Sequence, residues 1–294
     1  MYMCIKKQKM YVKFLIGLLS VFLLTGSHLF CQKNFKMNPK TQAEIYFKDG
    51  ENYFKKKEFE KAIDQFTKAI TIEPKLTEAY LNRGVILANL GDIESAINDF
   101  NKAIELNPQS AEAFNLRGTA FVEQKEYQKA IEDFNKAISI KNDYADAYFN
   151  RGLSKFEMKQ SIEALKDFDL ALKYNSKFIE AYNRRGLVKA ELGDYKPAVL
   201  DFNKSLALNP KQATVFNNRA NAKVKLKEYE DAIKDFNKAI ELNPQLATAY
   251  YNRGVAKLNL DDPKGACIDW EEAVKNGLKQ AQELIDKYCN KRKQ

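Results

Sequence analysis

Residues 80–113 read YLNRGVILANLGDIESAINDFNKAIELNPQSAEA, and the chain repeats this pattern every 34 residues, without insertion or deletion, from about residue 43 to 276. An aromatic residue marks each copy at Tyr46, Tyr80, Phe114, Tyr148, Tyr182, Phe216 and Tyr250. A small residue follows each of these four positions later, at Gly50, Gly84, Gly118, Gly152, Gly186, Ala220 and Gly254. A second large aromatic recurs at Phe66, Phe100, Phe134, Phe168, Phe202, Phe236 and Trp270. Self-similarity at one fixed period predicts an array of stacked structural units.

Each unit is predicted to be a pair of amphipathic helices. Apolar residues recur at helical spacing in both halves of the unit, which marks one buried face on each helix. The turn Leu90-Gly91-Asp92 separates the two halves, and breakers such as Asn107-Pro108 end the unit. A single hairpin of this kind cannot bury its own apolar face, so neighbouring units must stack on it.

At these residues the chain resembles the tetratricopeptide repeat family. Numbered from Ala43, the first unit places its recurring large and small residues on the family's positions 4, 8, 20, 24 and 27, and a proline stands at position 32 in several units. The resemblance covers about four-fifths of the chain. It implies an all-α, right-handed superhelical solenoid of seven units, starting near residues 43, 77, 111, 145, 179, 213 and 247. The first helix of each unit would line a concave face, and residues 277–294 would add a capping helix and a basic tail.

The first 31 residues have the organisation of a signal peptide. Lys6 to Lys13 form a basic region, Phe14 to Leu24 an apolar run of eleven residues, and Thr25 and Ser27 suit a cleavage site. Eleven apolar residues are too few to span a bilayer, although an uncleaved anchor remains an alternative. We therefore expect a bacterial protein exported to the periplasm, the cell surface or the medium, with a short linker at residues 32–42. Any membrane contact would pass through an uncleaved N-terminal segment.

Charge and residue usage argue against nucleic-acid binding and catalysis. The net charge is +9, but four of the positive charges lie in the signal segment and the others alternate with acids along the repeats. The one histidine, His28, also lies in that segment, which disfavours histidine-based catalysis and histidine metal sites in the mature chain. No glycine-rich phosphate loop is present. We expect no enzyme activity, no catalytic residue, no metal and no cofactor.

Six units carry an arginine at position 7 and an aspartate at position 23. The pairs are Arg83 and Asp99, Arg117 and Asp133, Arg151 and Asp167, Arg185 and Asp201, Arg219 and Asp235, and Arg253 and Asp269. The first unit lacks both, with Asp49 and Gln65 in their places. This joint loss predicts a structural ion pair inside each unit, in the bidentate geometry that arginine favours. The alternative is a ladder of arginines that faces a ligand.

Two cysteines lie near the C-terminus. Cys267 takes a position that is aliphatic in the other units, and Cys289 lies in a final predicted helix at residues 279–290. The turn Asn276-Gly277 folds this helix back, which brings the two cysteines to similar distances from the turn. In an oxidising compartment they could form a disulfide. The alternative is two small buried apolar side chains.

The concave face is expected to bind a protein or peptide through first-helix residues. The candidate groove residues are Phe47, Phe54, Leu81, Asn82, Val85, Asn115, Phe149, Asn150, Leu153, Phe156, Asn183, Leu187, Asn217, Asn218, Asn221, Tyr251, Asn252 and Val255. The asparagines resemble the amide ladder with which some family members hold a peptide backbone, since an amide both donates and accepts. Local bonding within the helix is the alternative.

The family's carboxylate clamp needs a lysine at position 5, which no unit has, and cations at positions 2 and 6 two units later, whereas position 2 is mainly acidic here. Recognition of a C-terminal carboxylate by that route is disfavoured. The groove therefore favours an apolar or mildly basic extended segment, or an amphipathic helix. A second hypothesis for the whole protein is an accessory or spacer subunit of an envelope or secretion complex, which would dock through its convex face or its ends.

Overall fold

The computed structural model describes residues 38–289, and these form fifteen helices and no strand. The first helices of the seven units are Pro39–Lys55, Thr77–Asn89, Ala111–Glu123, Ala145–Glu157, Ile179–Glu191, Ala213–Lys225 and Ala247–Asn259. The second helices are Phe59–Ile72, Ile93–Leu106, Tyr127–Ile140, Ser161–Tyr174, Tyr195–Leu208, Tyr229–Leu242 and Pro263–Lys275. A capping helix, Ala281–Tyr288, follows. The predicted signal segment, His28 and the basic tail lie outside the described residues.

The prediction of an all-α repeat solenoid is confirmed. Each helix contacts the helices before and after it in the chain, and most first helices also contact the first helix of the next unit. One boundary differs, because the first helix begins at Pro39 and so includes part of the predicted linker. Proline suits the first position of a helix, where its missing N–H would have no partner. None of the described helices combines the length and apolar character needed to cross a membrane.

Inside each unit a small residue lies against a large aromatic ring. The ring of Phe100 is fully buried, and a methyl group placed on Gly84 would lie 2.7 Å from ring atom Cε1. The other position-8 glycines meet the aromatic residues at position 24 in the same way. This close approach lets the two helices of a hairpin pack to crystal-like density, and it explains why the recurring pair is small and large.

The turn between the two helices has the same backbone conformation at one position of every unit. Residue 15 of each unit has a positive φ, of 87° and 88° at Gly91 and Gly193 and of 58–64° at four lysines and Asp261. After the first helix of unit 2, the Gly91 and Asp92 amides donate to carbonyls of that helix, at 3.0 and 2.9 Å. A left-handed residue is the usual way to close a helix C-terminus. It reverses the chain here without a longer loop.

Each arginine at position 7 is held between two units. In unit 4 Arg151 donates from Nε and Nη2 to the two carboxylate oxygens of Asp167, at 2.9 and 2.6 Å. Its third donor, Nη1, reaches Asn135 Oδ1 in the second helix of the preceding unit, at 2.6 Å. The guanidinium also lies 5.3 Å from the centre of the Tyr148 ring. We call this arrangement the arginine clamp.

The clamp recurs in units 2–7. The acceptors in the preceding units are Thr67, Asn101, Asn135, Asp169, Asn203 and Asn237. In unit 2 the hydrogen bond with Asp99 raises the pKa of the Arg83 guanidinium, against the opposing effect of burial. The clamp explains the exception in the first unit, because the described chain has no unit before it for an arginine to reach.

A second cation joins the clamp in units 4–7. The lysine at position 11 contacts the same aspartate, as Lys155 does with Asp167 Oδ2 at 2.7 Å. Lys189, Lys223 and Lys257 make the equivalent contacts. Units 2 and 3 have Leu87 and Phe121 at this position. Each aspartate therefore contacts two cations in units 4–7 and one cation in units 2 and 3.

The capping helix closes the apolar end of the last unit. Trp270 is fully buried, and its ring lies 5.8 Å from that of Tyr288. Its Nε1 donates to the Tyr251 carbonyl at 3.2 Å. Cys267 and Cys289 are joined by a disulfide, with Cα atoms 5.9 Å apart. The bond ties the end of the capping helix to the second helix of unit 7.

Substitutions of the clamp aspartates should separate the effect of one buried cation from that of two. Asp167→Asn keeps the side-chain volume but leaves Arg151 and Lys155 without a counter-charge. We expect a loss of about 3–5 kcal/mol in the free energy of unfolding. Asp133→Asn strands only Arg117, and it should cost less. Urea unfolding of the two variants measures the difference. Equal losses, or losses below about 1 kcal/mol, would contradict this account of the clamp.

Removal of the disulfide should loosen the C-terminal end. The double variant Cys267→Ser, Cys289→Ser opens a loop with a sequence separation of 22, for which chain entropy predicts about 3 kcal/mol. We expect faster proteolytic cleavage after residue 276 and a lower unfolding midpoint. The reductant dithiothreitol should have the same effect on the wild type and none on the double variant. A wild type that is indifferent to reductant would show that the disulfide contributes nothing.

Candidate functional site

Four residues of each first helix lie along one side of it. Positions 2, 6, 9 and 13 fall within about 60° of one another around a helix, and positions 2 and 13 are about 16 Å apart along its axis. In unit 4 these residues are Asp146, Asn150, Leu153 and Glu157, and none of them is fully buried. We call this line of residues, continued from unit to unit, the groove stripe. It coincides with the face on which the groove was predicted.

The candidate groove residues differ in how much of them is accessible. Leu81, Asn115 and Asn217 are buried, with 8% of each exposed, whereas Phe54 is exposed. The remaining candidates are half-buried: Phe47, Asn82, Val85, Phe149, Asn150, Leu153, Phe156, Asn183, Leu187, Asn218, Asn221, Tyr251, Asn252 and Val255. Half-buried residues can both support the fold and present a surface to a partner.

Some of the aromatic candidates are structural. The Phe149 ring lies 5.8 Å from that of Phe168, in the second helix of the same unit, and 4.7 Å from that of Phe178, the residue that precedes the first helix of unit 5. Phe47 lies in the same way 5.6 Å from Phe66. Aromatic pairs at such distances stabilise a core beyond their buried area. Replacement of these rings would disturb packing together with any binding.

The asparagines pair with one another across units. Asn150 Nδ2 donates to Asn115 Oδ1 at 3.2 Å, and Asn218 Nδ2 to Asn183 Oδ1 at 3.5 Å. Each pair joins position 6 of one first helix to position 5 of the helix before it. This bonding is neither the peptide contact nor the local helix contact that the sequence suggested. The amides hold adjacent first helices in register, because both members of a pair lie on first helices of neighbouring units.

The pairing fails between units 6 and 7. Asn217 Oδ1 is buried and has no hydrogen-bond partner within the described chain. Asn252 stands where the two pairs above have their donor, but no hydrogen bond joins it to Asn217. An unpaired buried acceptor costs about 1–3 kcal/mol unless a donor reaches it. The groove between units 6 and 7 therefore has an unused acceptor.

A cavity of about 210 Å³ opens at the junction of units 5 and 6. Leu187, Ala190, Tyr195 and Phe202 form its apolar wall. The polar residues around it are Asn218, Asn221 and Lys225. A cavity of about 150 Å³ is large enough for benzene, so this one has room for a large apolar side chain of a partner. Polar groups around an apolar wall are typical of a binding pocket.

Neither a metal-ligand cluster nor an arginine ladder toward the groove is seen among the described residues. No group of three or more histidine, cysteine, aspartate or glutamate side chains between residues 38 and 289 is arranged to hold a metal ion. Each clamp arginine directs its donors to protein acceptors, which leaves no guanidinium ladder facing the groove. The arrangement suits recognition of a side chain and a backbone by apolar contacts and amides.

Comparisons with known proteins agree with this architecture. Family models described as TPR repeat match residues 50–91, 118–159 and 220–261. Models described as tetratricopeptide repeat match residues 77–110, 100–132, 145–178 and 179–212. The matches together span most of the described units. No curated protein matches the chain.

Solved structures resemble the chain as well. YrrB, described as a TPR protein with an unusual peptide-binding site, is 26% identical, with a TM-score of 0.54 over 64% of this chain and 97% of its own. The MamA protein is 30% identical, with a TM-score of 0.51 over 59% of this chain and 94% of its own. A repeat protein from Parabacteroides merdae shares the fold, at 21% identity and a TM-score of 0.60 over 85% of this chain and 100% of its own.

The asparagine pairs can be tested by their effect on stability. Asn150→Ala removes the donor to Asn115 Oδ1 and leaves that buried oxygen unpaired, which should cost about 1–3 kcal/mol. Asn252→Ala is the matched control, since Asn252 donates to no such oxygen, and it should cost less than about 0.5 kcal/mol. Urea unfolding of both variants gives the comparison. Similar losses for the two would show that the Asn115–Asn150 bond does not stabilise the array.

Proposed function

Because the chain belongs to the tetratricopeptide repeat family, we propose that it is a non-catalytic scaffold that binds a protein or peptide segment in its groove. The observation that carries this proposal is the cavity between units 5 and 6, which combines an apolar wall with two amides and a lysine. YrrB, whose description includes a peptide-binding site, supports the assignment by its likeness over 64% of this chain.

The distribution of bonds supports a rigid binding surface. Asparagine pairs and arginine clamps fix neighbouring units on both sides of the first helices. A groove fixed in this way does not need to be ordered when the partner arrives, and pre-organisation increases affinity. The partner's side chains would enter the cavity, and its backbone N–H groups and carbonyls would meet Asn221 and Asn252.

We also propose that the protein is exported and works in the periplasm, at the cell surface or in the medium. The basic and apolar segments before residue 31 support export. The disulfide between Cys267 and Cys289 fits an oxidising compartment. A membrane anchor would require that the N-terminal segment stay uncleaved.

A second candidate function is that of a spacer subunit that docks through its convex face or its ends. A cavity of about 310 Å³ supports it, because this cavity lies against the second helices of units 1 and 2 and away from the groove stripe. Its lining includes Thr67, Asn98 and Asp99. The two functions predict opposite effects for substitutions on the two faces.

Bulky substitutions can separate the groove from the convex face. Asn221→Trp with Asn252→Arg should obstruct the groove without removing a hydrogen bond, since neither side chain has one within residues 38–289. The control, Asn98→Arg, places a similar bulk on the convex side. Cross-linking in the cells that make the protein should recover a partner with the wild type and the control but not with the groove variant. Loss with Asn98→Arg alone would favour the spacer function.

Export has a separate test. Fractionation of the source cells should place the protein outside the cytoplasm, and mass spectrometry of the mature protein should find a start after residue 27 or 31. The two cysteines at positions 267 and 289 should resist alkylation until a reductant is added. A cytoplasmic protein with an intact N-terminus and two free thiols would overturn the proposed location.

A further inference from the structure

The groove stripe is acidic in the middle of the array. Units 3–5 carry a carboxylate at both ends of the stripe: Glu112 and Glu123, Asp146 and Glu157, and Glu180 and Glu191. All six side chains are exposed. None of the six has a hydrogen bond or ion pair within residues 38–289. Arg184 is the single cation among the stripe residues of these units.

Residues 38–289 carry no net charge, because six lysines before residue 38 and Lys291, Arg292 and Lys293 after it account for the +9 of the chain. The acidic stripe of units 3–5 thus lies on an array that is neutral as a whole. The second helices, in contrast, have a row of lysines at position 26, namely Lys68, Lys102, Lys136, Lys204 and Lys238. Lys68, Lys102 and Lys238 form ion pairs with acids of their own helices, whereas the six stripe carboxylates have no such partner among the described residues. A surface with an excess of one sign of charge attracts a partner of the complementary sign.

The acids at position 13 lie where a negative charge destabilises the helix that carries it. Glu123, Glu157 and Glu191 are the last residues of their helices, where the helix dipole disfavours a negative charge by about 0.3–1 kcal/mol. Units 2, 6 and 7 have Asn89, Lys225 and Asn259 at the same position. Helix stability therefore does not explain these three glutamates, whereas contact with a cationic partner does.

The spacing of the acids selects the shape of the partner. The two acidic rows are about 16 Å apart along the first helices, and an α-helix with its side chains is about 10–12 Å wide. A helix that lies across units 3–5 would fit between the rows, with Leu116, Leu153 and Leu187 beneath it. Lysine and arginine side chains on both of its flanks would reach the rows.

Two further features lie where such a helix would continue. The cavity of about 210 Å³ follows at the junction of units 5 and 6 and has room for a large apolar side chain. The buried Asn217 Oδ1 lies beyond it and lacks a donor. A lysine or a free N–H group at the end of the partner helix would supply one.

We propose that the groove binds a cationic amphipathic helix, with an apolar face toward units 3–6 and basic residues on both flanks. The inference rests on the proposed function, and it names the chemistry of the partner. It requires affinity to fall with salt concentration, because the carboxylates and the basic flanks interact through solvent.

The test uses three synthetic helical peptides of 18 residues that share one leucine and phenylalanine face. Their flanks are lysine, glutamine or glutamate. Fluorescence anisotropy at low salt should show that the lysine peptide binds at least about tenfold more tightly than the glutamine peptide, and that the glutamate peptide does not bind. Equal affinity for the lysine and glutamine peptides would overturn the cationic assignment but leave groove binding intact.

Protein variants then locate the charge effect. The triple variant Glu123→Gln, Glu157→Gln, Glu191→Gln should weaken binding of the lysine peptide about tenfold or more while its unfolding midpoint stays equal or rises, which excludes loss of fold. The control, Glu94→Gln, Glu132→Gln, Glu163→Gln, removes the same charge from exposed positions of the second helices, and it should bind within about twofold of wild type. Equal weakening in both variants would overturn the inference.

Two further outcomes also count against the inference. If no peptide binds while cross-linked partners still depend on the groove, the cationic helix is the wrong ligand and the proposed function stands. If sedimentation shows self-association that the triple variant abolishes, a second copy of the chain occupies the groove.

Discussion

A guanidinium that bonds to two second helices at once is the interaction on which the rest of the array depends. In each of units 2–7 an arginine uses two donors for an aspartate of its own unit and one for a polar side chain of the unit before. The planar fork of arginine makes this possible, because its donors diverge in fixed directions. The clamp therefore joins the two helices of a hairpin to each other and to the second helix of the hairpin before.

A solenoid has no long-range contacts that could correct an error of stacking, since each unit touches only its neighbours. The small-on-large packing of Gly84 with Phe100 repeats inside the units, and the clamp repeats at every junction between them, so the error does not accumulate. The two ends need different solutions. Within residues 38–289 no unit precedes the first one, which lacks the arginine, and unit 7 is covered by a helix that Cys289 ties to Cys267.

The helices of the array repeat regularly, whereas the side chains along the groove differ from unit to unit. Asparagine pairs join the first helices of neighbouring units at two junctions. At the junction of units 6 and 7 no such pair forms, and Asn217 Oδ1 has no partner within the described residues. Carboxylates line units 3–5, whereas Lys225 and neutral residues occupy the equivalent positions farther along. The clamp positions repeat in units 2–7, whereas the residues of the groove stripe vary from unit to unit. This division supports recognition of one kind of segment over another.

The sequence by itself determined the period, the two helices of each unit and the pairing of Arg151 with Asp167. Each of these depends on residues within one unit. The pairing could be predicted because the first unit lacks both the arginine and the aspartate. The sequence also contains a sign of the bond from Arg151 to Asn135, because every unit that precedes a clamp arginine has a polar residue at position 25.

Only the tertiary structure decided how the groove amides are used, which acceptor stays unpaired and where the cavity opens. These features depend on distances between side chains of different units, and the rotation from one unit to the next sets those distances. A pattern with one period of 34 residues is the same at every junction and does not contain that rotation. The bond from Asn150 to Asn115 and the absence of one from Asn252 to Asn217 follow from the stacked helices alone.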